Sequence, residues 1–507
     1  MDLGKKIDDV VGVFSPRMKK QRMKDRAIIK QAEKMETIFF NKGYSEQGAS
    51  RTKKSLIGMK SNSGTADEDI GENHELLVKR SRSLFQGSTV AHAALRNVTT
   101  NTVGMGLKPK PSIDYEYLGL SEDQKEEMEK IIEQQYALWT KDCGYFKGES
   151  FEELQNLVML SQLMSGDVFV LLPVDKDSNL KLRLVEADQV GGGLAVSDKD
   201  IKNGVELDNG RIVAYHIKTK DMKTQRIELR GKTSKKRNIL HIMQAERPIQ
   251  RRGVPYLSHV IEDLKQLDRY QKAELDAAMI QSYLTVFIET PDIEEPLGAP
   301  QIPLEEQVDS QDEGTYELGQ GSVNIMNQGE KISTVNPGRQ NSSFESFITA
   351  ICRNIGAALE IPFESLLKKF DSSYSASRAA LLELWKMIKT KRSFLVNQFC
   401  SPVYEEFINL LVYSGKLSYV NKERFMKEAL YREALYKAMW YGPTQGQIDP
   451  LKEVQSAEKR VAMGITTRSQ ETMEINGGDW EKNVKQLKKE KDLMDKLGLE
   501  TVNSNKK

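Results

Sequence analysis

Residues 254–289 read VPYLSHVIEDLKQLDRYQKAELDAAMIQSYLTVFIE. Leu257, Val260, Ile261, Leu264 and Leu267 recur at helical spacing behind Pro255, which suits a helix's first turn, and the pattern runs on to about Tyr283. The spacing predicts a helix of roughly 27 residues, about 40 Å long at 1.5 Å per residue. The chain then changes character. Between Leu284 and Glu330 there are eleven Asp and Glu and no Lys, Arg or His. TVFIE (285–289) opens this insert as a strand, a Pro-rich stretch PLGAPQIPLEE (296–306) crosses it, and TYELG (315–319) and SVNIM (322–326) read as returning strands. Ser342-Ser-Phe-Glu345 forms a capping box for a second helix, in which Phe344, Phe347, Ile348, Ile351, Ile355 and Leu359 face one way and which ends before Pro362. The polar loop KKFDSSYSASR (368–378) follows, and a helix from about Ala376 to Asn397 carries Leu381, Leu382, Trp385, Ile388 and Leu395. The order is helix, one-signed insert, helix, polar loop.

Working outward, 507 residues allow a sizeable core and two to four domains. Lys plus Arg (74) almost cancels Asp plus Glu (73), so net charge names no partner. The signs are nevertheless segregated. The first sixty residues hold fifteen Lys and Arg against seven acids, and residues 218–237 are strongly basic. Residues 1–75 read as a short helix near 20–40 within a flexible arm. A helical segment spans 75–101 and stops at Gly104-Met-Gly106. Capping boxes at Ser121-Glu-Asp-Gln124 and Ser150-Phe-Glu-Glu153 open two more helices. The period then falls to two, with a buried strand at VFVLLPV (168–174), alternation through Leu180, Leu182 and Leu184, and further strands at 211–217, 225–230 and 238–243. The fold class is α+β, with helices on a small sheet and a basic hairpin. From Pro402 onward the chain reads as helical and increasingly charged.

Catalytic chemistry finds no purchase in the sequence. Cys143, Cys352 and Cys400 lie far apart, which suits a reducing cytosol and argues against disulfides or a thiolate zinc site. The five histidines have no metal-ligand spacing. Gly231-Lys-Thr233 resembles the end of a phosphate loop, but the glycine required five positions earlier is Arg226. Carboxylates of the insert could in principle hold two metals for a nuclease, with Glu305, Glu306 and Asp309 as its test. They sit in Pro- and Gly-rich sequence without a Lys or His to serve the chemistry, which favours a solvated acidic face. A DNA-binding structural protein would use the basic arm from Arg17 to Lys34 and the 218–237 hairpin. The expectation is no enzyme activity, no metal and no cofactor. No apolar run approaches the roughly twenty residues of a membrane span, and the first residues have no secretory h-region.

A series of short runs carries a family resemblance: Arg80-Ser-Arg82-Ser-Leu84; Asn101-Thr-Val-Gly104-Met-Gly106-Leu107; Gly166-Asp-Val-Phe169; Val185-Glu-Ala-Asp188; and Glu246-Arg-Pro248-Ile-Gln250-Arg-Arg-Gly253-Val-Pro255 after His241. Leu267-Asp-x-Tyr270 with Ala273-Glu274 continues it. Ile355-Gly-Ala-Ala-Leu-Glu-Ile-Pro362-Phe-Glu364, Tyr374-Ser-Ala-Ser-Arg378, Glu383-x-Trp385 and Ile448-Asp-Pro450-x-Lys452-Glu453 complete it. In this order, over about 380 residues, the chain resembles the lambda-type portal proteins of tailed bacteriophages. It departs from them at Ser165, where the family usually has Asp.

The resemblance implies a ring-forming subunit of the phage portal fold, with an α/β wing, long stem helices, a small mixed α/β clip and a helical crown. On this chain residues 1–74 would be the arm, 75–253 the wing, 254–284 and 343–361 the two stem helices, and 285–342 the acidic clip. Residues 362–378 would be the tunnel loop, 379–440 its helix and the wing closure, and 441–507 the crown and Lys-rich tail. The ring, usually of twelve copies, would sit at one capsid vertex of the virion after assembly in the bacterial cytoplasm. It would pass double-stranded DNA inward under the terminase large subunit and outward into the tail, and bind head-completion connector, capsid and scaffold proteins, with no membrane partner. The tunnel-loop candidates are Lys368, Lys369, Ser372, Ser373, Tyr374, Ser375 and Arg378. The clip candidates, for docking terminase and connectors or lining the channel, are Glu294, Glu295, Glu305, Glu306, Asp309, Asp312, Glu313 and Glu317.

Overall fold

A computed structural model describes residues 15–40, 54–56, 58–59, 63–146, 148–191, 200–219, 223–232, 236–282, 286–289, 331–334, 344–370, 373–445 and 449–498. The chain divides into two compact units, Met1–Thr65 and Ala66–Lys507. In the first, α1 (Pro16–Phe40) is the helix expected near 20–40, starting earlier at Pro16, a residue whose fixed φ suits a helix's opening turn. Arg17, Lys20, Arg22 and Lys24 on it are exposed.

The second unit opens with α2 (His74–Gly87) and α3 (Thr89–Thr102), which replace the single helix expected over 75–101. The break falls at Ser88, whose backbone is extended (φ −107°, ψ 124°) and whose hydroxyl donates to Asp268 at 3.0 Å. Gly87 ends the first helix directly before the break, and the part-buried bond to Asp268 holds Ser88 there. Next come β1 (Lys108–Pro111), α4 (Tyr115–Leu118), α5 (Glu122–Trp139) and α6 (Phe151–Ser165). Both expected capping boxes are present: Ser121 and Ser150 each accept from the backbone N–H three residues on, and Gln124 and Glu153 return the bond.

Two antiparallel sheets follow. The strands are β2 (Asp167–Leu171), β3 (Arg183–Glu186), β4 (Asp200–Lys202), β5 (Val205–Asp208), β6 (Arg211–Lys218), β7 (Thr224–Glu228) and β8 (Ile239–Met243). One sheet has the order β3-β2-β8, and the other is the meander β4-β5-β6-β7. Phe169, Val185, Val205, Tyr215 and Ile239 form a core between them, and the larger core lies among the helices and the opposite face of β2.

After a 3-10 turn at Ser258–Val260 comes α7 (Ile261–Ser282), 22 residues rather than the roughly 27 expected. Its entry is tightened because Ser258 and Val260 donate to the carbonyls three residues back, while Tyr256 N–H is taken by Leu163 at the end of α6. The chain continues through β9 (Val286–Glu289), β10 (Lys331–Thr334), α8 (Phe344–Ala358), α9 (Phe363–Leu367), α10 (Tyr374–Leu395) and α11 (Ser401–Tyr413). It ends with α12 (Lys422–Lys427), α13 (Ala429–Tyr436), β11 (Ala438–Tyr441), α14 (Pro450–Ala462), α15 (Arg468–Asn476) and α16 (Trp480–Leu497). The reading of the C-terminal part as helical misses β11, which pairs with β1. The strands expected at 315–319 and 322–326 and the capping box at Ser342 lie outside the described residues.

The joint between sheet and α7 is built on charge. Asp167 at the start of β2 is fully buried, and Arg252 is 3% exposed. Arg252 donates Nε and Nη2 to the two Asp167 oxygens at 2.6 and 3.1 Å, and spends its other N–H groups on the carbonyls of Ala187, Val190 and Asn203. Gly253 N–H and His241 also reach Asp167, at 3.1 and 3.3 Å. Burial opposes ionisation of Asp167, but Arg252 and His241 outweigh it and hold the carboxyl well below the usual carboxylate range. Breaking such a pair strands a buried charge, at about 3–5 kcal/mol. The joint is also backbone against backbone. A Cβ on Gly253 would lie 2.0 Å from the Gly166 carbonyl oxygen, so the contact excludes any side chain. Gly253→Ala should therefore cost at least about 3 kcal/mol, read from the urea midpoint of the purified chain.

His74, at the start of α2, lies 3.9 Å from Asp167 with its Nε2 buried and unbonded. Burial, then the Arg252 charge, brings its pKa down from 6.5 to about 4, against the opposing pull of Asp167 and Asp188. A lowered folded pKa means that the unfolded chain takes up the proton first, so this histidine removes stability as pH falls from about 6.5 to about 4. The full effect is about 3 kcal/mol, at 1.36 kcal/mol per pKa unit. His74→Gln should lose less stability than the unsubstituted chain between pH 7 and pH 4.5 in urea titrations; equal losses would show that His74 is not the group responsible.

Candidate functional site

The stretch that dominates the sequence folds as a hairpin. Tyr270 of α7 packs on Phe344 and Phe347 near the start of α8, with ring centroids 5.7 and 4.8 Å apart. Tyr256, just before α7, gives its hydroxyl proton to the Leu359 carbonyl at the far end of α8. The two helices therefore run antiparallel. β9 and β10 carry the hairpin on, pairing antiparallel with Val286 opposite Thr334 and Glu289 opposite Lys331. The acidic insert leaves and returns at this strand pair. Among the described residues, Leu275, Met279 and Phe347 on the helices are 61%, 50% and 48% exposed.

The motif Ile355–Glu364 makes the turn at the hairpin's base. Gly356 allows the chain to fold back on α8, since a Cβ there would stand 2.6 Å from the Ile361 carbonyl oxygen. Glu360 takes the left-handed conformation (φ 53°), and Ile361 N–H closes the helix end onto the Gly356 carbonyl at 2.8 Å. Leu359 and Ile361 are buried, and Pro362 stands at the N-terminus of α9. Asn97 of α3 donates to the Ser365 carbonyl at 3.1 Å, tying α9 to the body.

The polar loop expected over 368–378, and the longer stretch 362–378 that contains it, are partly helical. Residues 363–367 are helical, and α10 begins at Tyr374, capped by the Ser373 hydroxyl, which accepts from Ala376 N–H at 3.4 Å. Serine signals a helix start as readily as a loop. Of the candidates, Lys368, Lys369 and Ser373 share one short connection, while Tyr374, Ser375 and Arg378 belong to the opening turns of α10. Lys368 is exposed and left-handed (φ 54°). Lys369 is exposed and reaches back to Glu345 in the first turn of α8 at 2.7 Å, a surface pair worth under about 1 kcal/mol. Arg378 is half-buried; after the bonds from Lys452, its charge helps hold Asp449 below the usual carboxylate range. Ser372 and the acidic candidates Glu294, Glu295, Glu305, Glu306, Asp309, Asp312, Glu313 and Glu317 lie outside the described residues.

Sequence reasoning passed over the groups that support this loop. Arg392 near the end of α10 donates to the carbonyls of Thr102, Asn101 and Pro443 and lies over the Trp385 ring at 5.4 Å. Lys391 lies 4.7 Å over Tyr256 and donates to Gln244, and burial lowers its pKa. The run Asn101–Leu107 is itself fastened to α6, where Gln155 bonds both the N–H and the carbonyl of Leu107. Arg392, Lys391 and Gln155 lie in none of the short motifs; the signal that could have found two of them was the run Asn101–Leu107, which Arg392 and Gln155 bond. Among the described residues no group of three or more His, Cys, Asp or Glu could hold a metal ion.

The lambda-family phage portal protein profile matches residues 52–392, two thirds of the chain. The chain belongs to that family. It is 22% identical over 446 residues to the portal protein of Escherichia phage N15, covering 82% of this chain and 84% of that one. It is 22% identical over 428 residues to portal protein B of Escherichia phage lambda, covering 77% and 79%. Among solved structures, a chain in the neck of an empty gene transfer agent particle aligns over 78% of this chain and 92% of its own, at 14% identity and a TM-score of 0.48. The α+β architecture of this portal-family chain is the one expected from its sequence, and the profile ends at Arg392, which ties α10 to the carbonyls of Asn101, Thr102 and Pro443.

Gly356→Ala should lower urea-unfolding stability by about 1–3 kcal/mol through the clash with the Ile361 carbonyl. An unchanged midpoint would show that the turn can open to admit a side chain.

Proposed function

We propose that this chain closes with copies of itself, about twelve, into the portal ring at one capsid vertex. Through that ring terminase would drive double-stranded DNA in, and DNA would leave into the tail. Family membership across residues 52–392 carries this reading. The antiparallel hairpin α7–β9–β10–α8 supports it, because its two strands are the ones the acidic insert joins and its helices carry exposed apolar side chains such as Leu275 and Phe347, as a stem and clip in a ring require. In this reading 75–253 is the wing, 254–284 and 343–361 the stem, 285–342 the clip, 362–378 the tunnel loop and 441–507 the crown and tail, with 379–440 closing the wing.

The charge of the insert fits both tasks of a clip. Duplex DNA carries one negative charge per ~1.7 Å, and each phosphate met by Lys or Arg releases a counterion. A basic lining would trap DNA by roughly 5–8 kcal/mol per docking position, which opposes sliding. Eleven carboxylates per copy, on the order of 130 per ring, would instead keep the duplex on the axis within a Debye length of about 8 Å. The outward carboxylates among Glu294, Glu295, Glu305, Glu306, Asp309, Asp312, Glu313 and Glu317 would dock basic surfaces of terminase and then of connector proteins. Lys368 and Lys369 would touch passing phosphates, with Ser372, Ser373, Tyr374, Ser375 and Arg378 beside them.

The test is the pair Lys368→Ala, Lys369→Ala in assembling particles. The surface pair to Glu345 is weak enough that rings should form in negative stain, while packaged genome length or packaging yield changes. Rings that fail to assemble would make both lysines structural and remove the loop from the channel.

A further inference from the structure

Ile249 lies in the loop that joins β8 to the entry of α7. Its backbone is left-handed (φ 62°), a region in which Cβ crowds the following carbonyl and which a β-branched residue adopts at a real cost. The other described non-glycine residues of positive φ are Ser178, Asn203, Asn209, Glu360 and Lys368, none of them β-branched. The side chain carries a second cost, since Ile249 is 79% exposed. Neither cost is returned by packing within the described chain.

Both flanks of the loop are fixed. The buried Gln250 side chain accepts from Glu246 N–H and Arg247 N–H at 2.8 and 3.1 Å and donates to the Arg252 carbonyl at 2.8 Å. Arg247 pairs with Asp69 at 2.6 Å, Arg251 with Asp67 and Asp200, and Arg252 with Asp167. The isoleucine is therefore held in place before any partner arrives, so the ordering cost of binding is already met. Ala245 and Pro248 of the same loop are exposed too, and the loop also carries the charged Glu246 and the Arg247–Asp69 pair. An apolar anchor inside a polar rim is the anatomy of a protein–protein contact. Backbone strain that the surroundings over-determine is characteristic of binding sites.

We propose that Ile249 is a preset apolar anchor that seats on the neighbouring copy of this chain. The proposal rests on the ring reading. A ring of identical copies is heterologous: each chain gives one flank and receives the opposite flank of its neighbour, so a projection on one side always meets the same receiving surface. The loop is fastened to the rigid sheet–helix joint, which lets it set the angle between copies.

The experiment is mass photometry of the full-length chain through a dilution series, together with urea unfolding of the dissociated subunit, for the unsubstituted protein and for Ile249→Asn, Ile249→Gly and Ile249→Leu. Asparagine and glycine tolerate the left-handed region, so both subunits should unfold at equal or higher urea. Their rings should fall apart at about tenfold or higher concentrations, the equivalent of one isoleucine no longer buried. Ile249→Leu keeps the apolar body and should keep the rings. Asn and Gly rings as resistant to dilution as the unsubstituted ones would overturn the anchor, as would Asn and Gly subunits that unfold at lower urea. An unsubstituted chain that stays monomeric at every concentration would sink the ring reading itself, a different failure.

Discussion

A carboxylate with no access to water, clasped by a guanidinium that has almost none, is the constraint on which the rest of this fold is arranged. Asp167 and Arg252 are 85 residues apart in sequence, yet they meet in a two-point contact where β2 and the entry to α7 come together. The guanidinium also satisfies three carbonyls from the connections around β3, β4 and β5, so one side chain fixes sheet, loops and helix. The glycines beside each partner, Gly166 and Gly253, let the backbones close to a distance no other residue allows. A purely apolar joint could be as stable, but it would permit several registers. A bidentate pair in a dry site permits one geometry, because every misalignment leaves charge unpaired.

Much of the architecture was legible in the chain where the controlling physics is local. Capping boxes at Ser121 and Ser150, the switch to a two-residue period at Val168 and the long stripe behind Leu257 each depend on neighbours within a few positions. The parts that escaped depend on distant partners. Lys-Pro-Lys-Pro is a strand only because Ala438–Tyr441 lies beside it, and the break after Gly87 is held by the bond from the Ser88 hydroxyl to Asp268. The hairpin entry is three residues of tight turn because α6 claims the Tyr256 N–H.

The candidate site divided in the same way. Its basic and hydroxyl residues were visible as composition, but composition does not say which serine ends a loop and which begins a helix; Ser373 does the second. The short runs that marked the family offered no recognisable chemistry. Their meaning was mechanical. Gly356, Gly253, Arg252 and the Asn101–Leu107 run hold angles between elements, which is what the channel proposed above would demand of its subunit.

Both ends of the acidic insert are fastened to each other by β9 and β10, with Glu289 opposite Lys331. The body of the chain therefore sees the insert as a closed loop rooted at one point. The entropy of closing such a loop grows only with the logarithm of its length, about 0.6 kcal/mol for each doubling. On the proposed reading, the sequence between the two strands could be lengthened, shortened or exchanged at little cost to the hairpin that carries it. What this end docks against would then change as one changes the bit on a drill, leaving the shaft as it was.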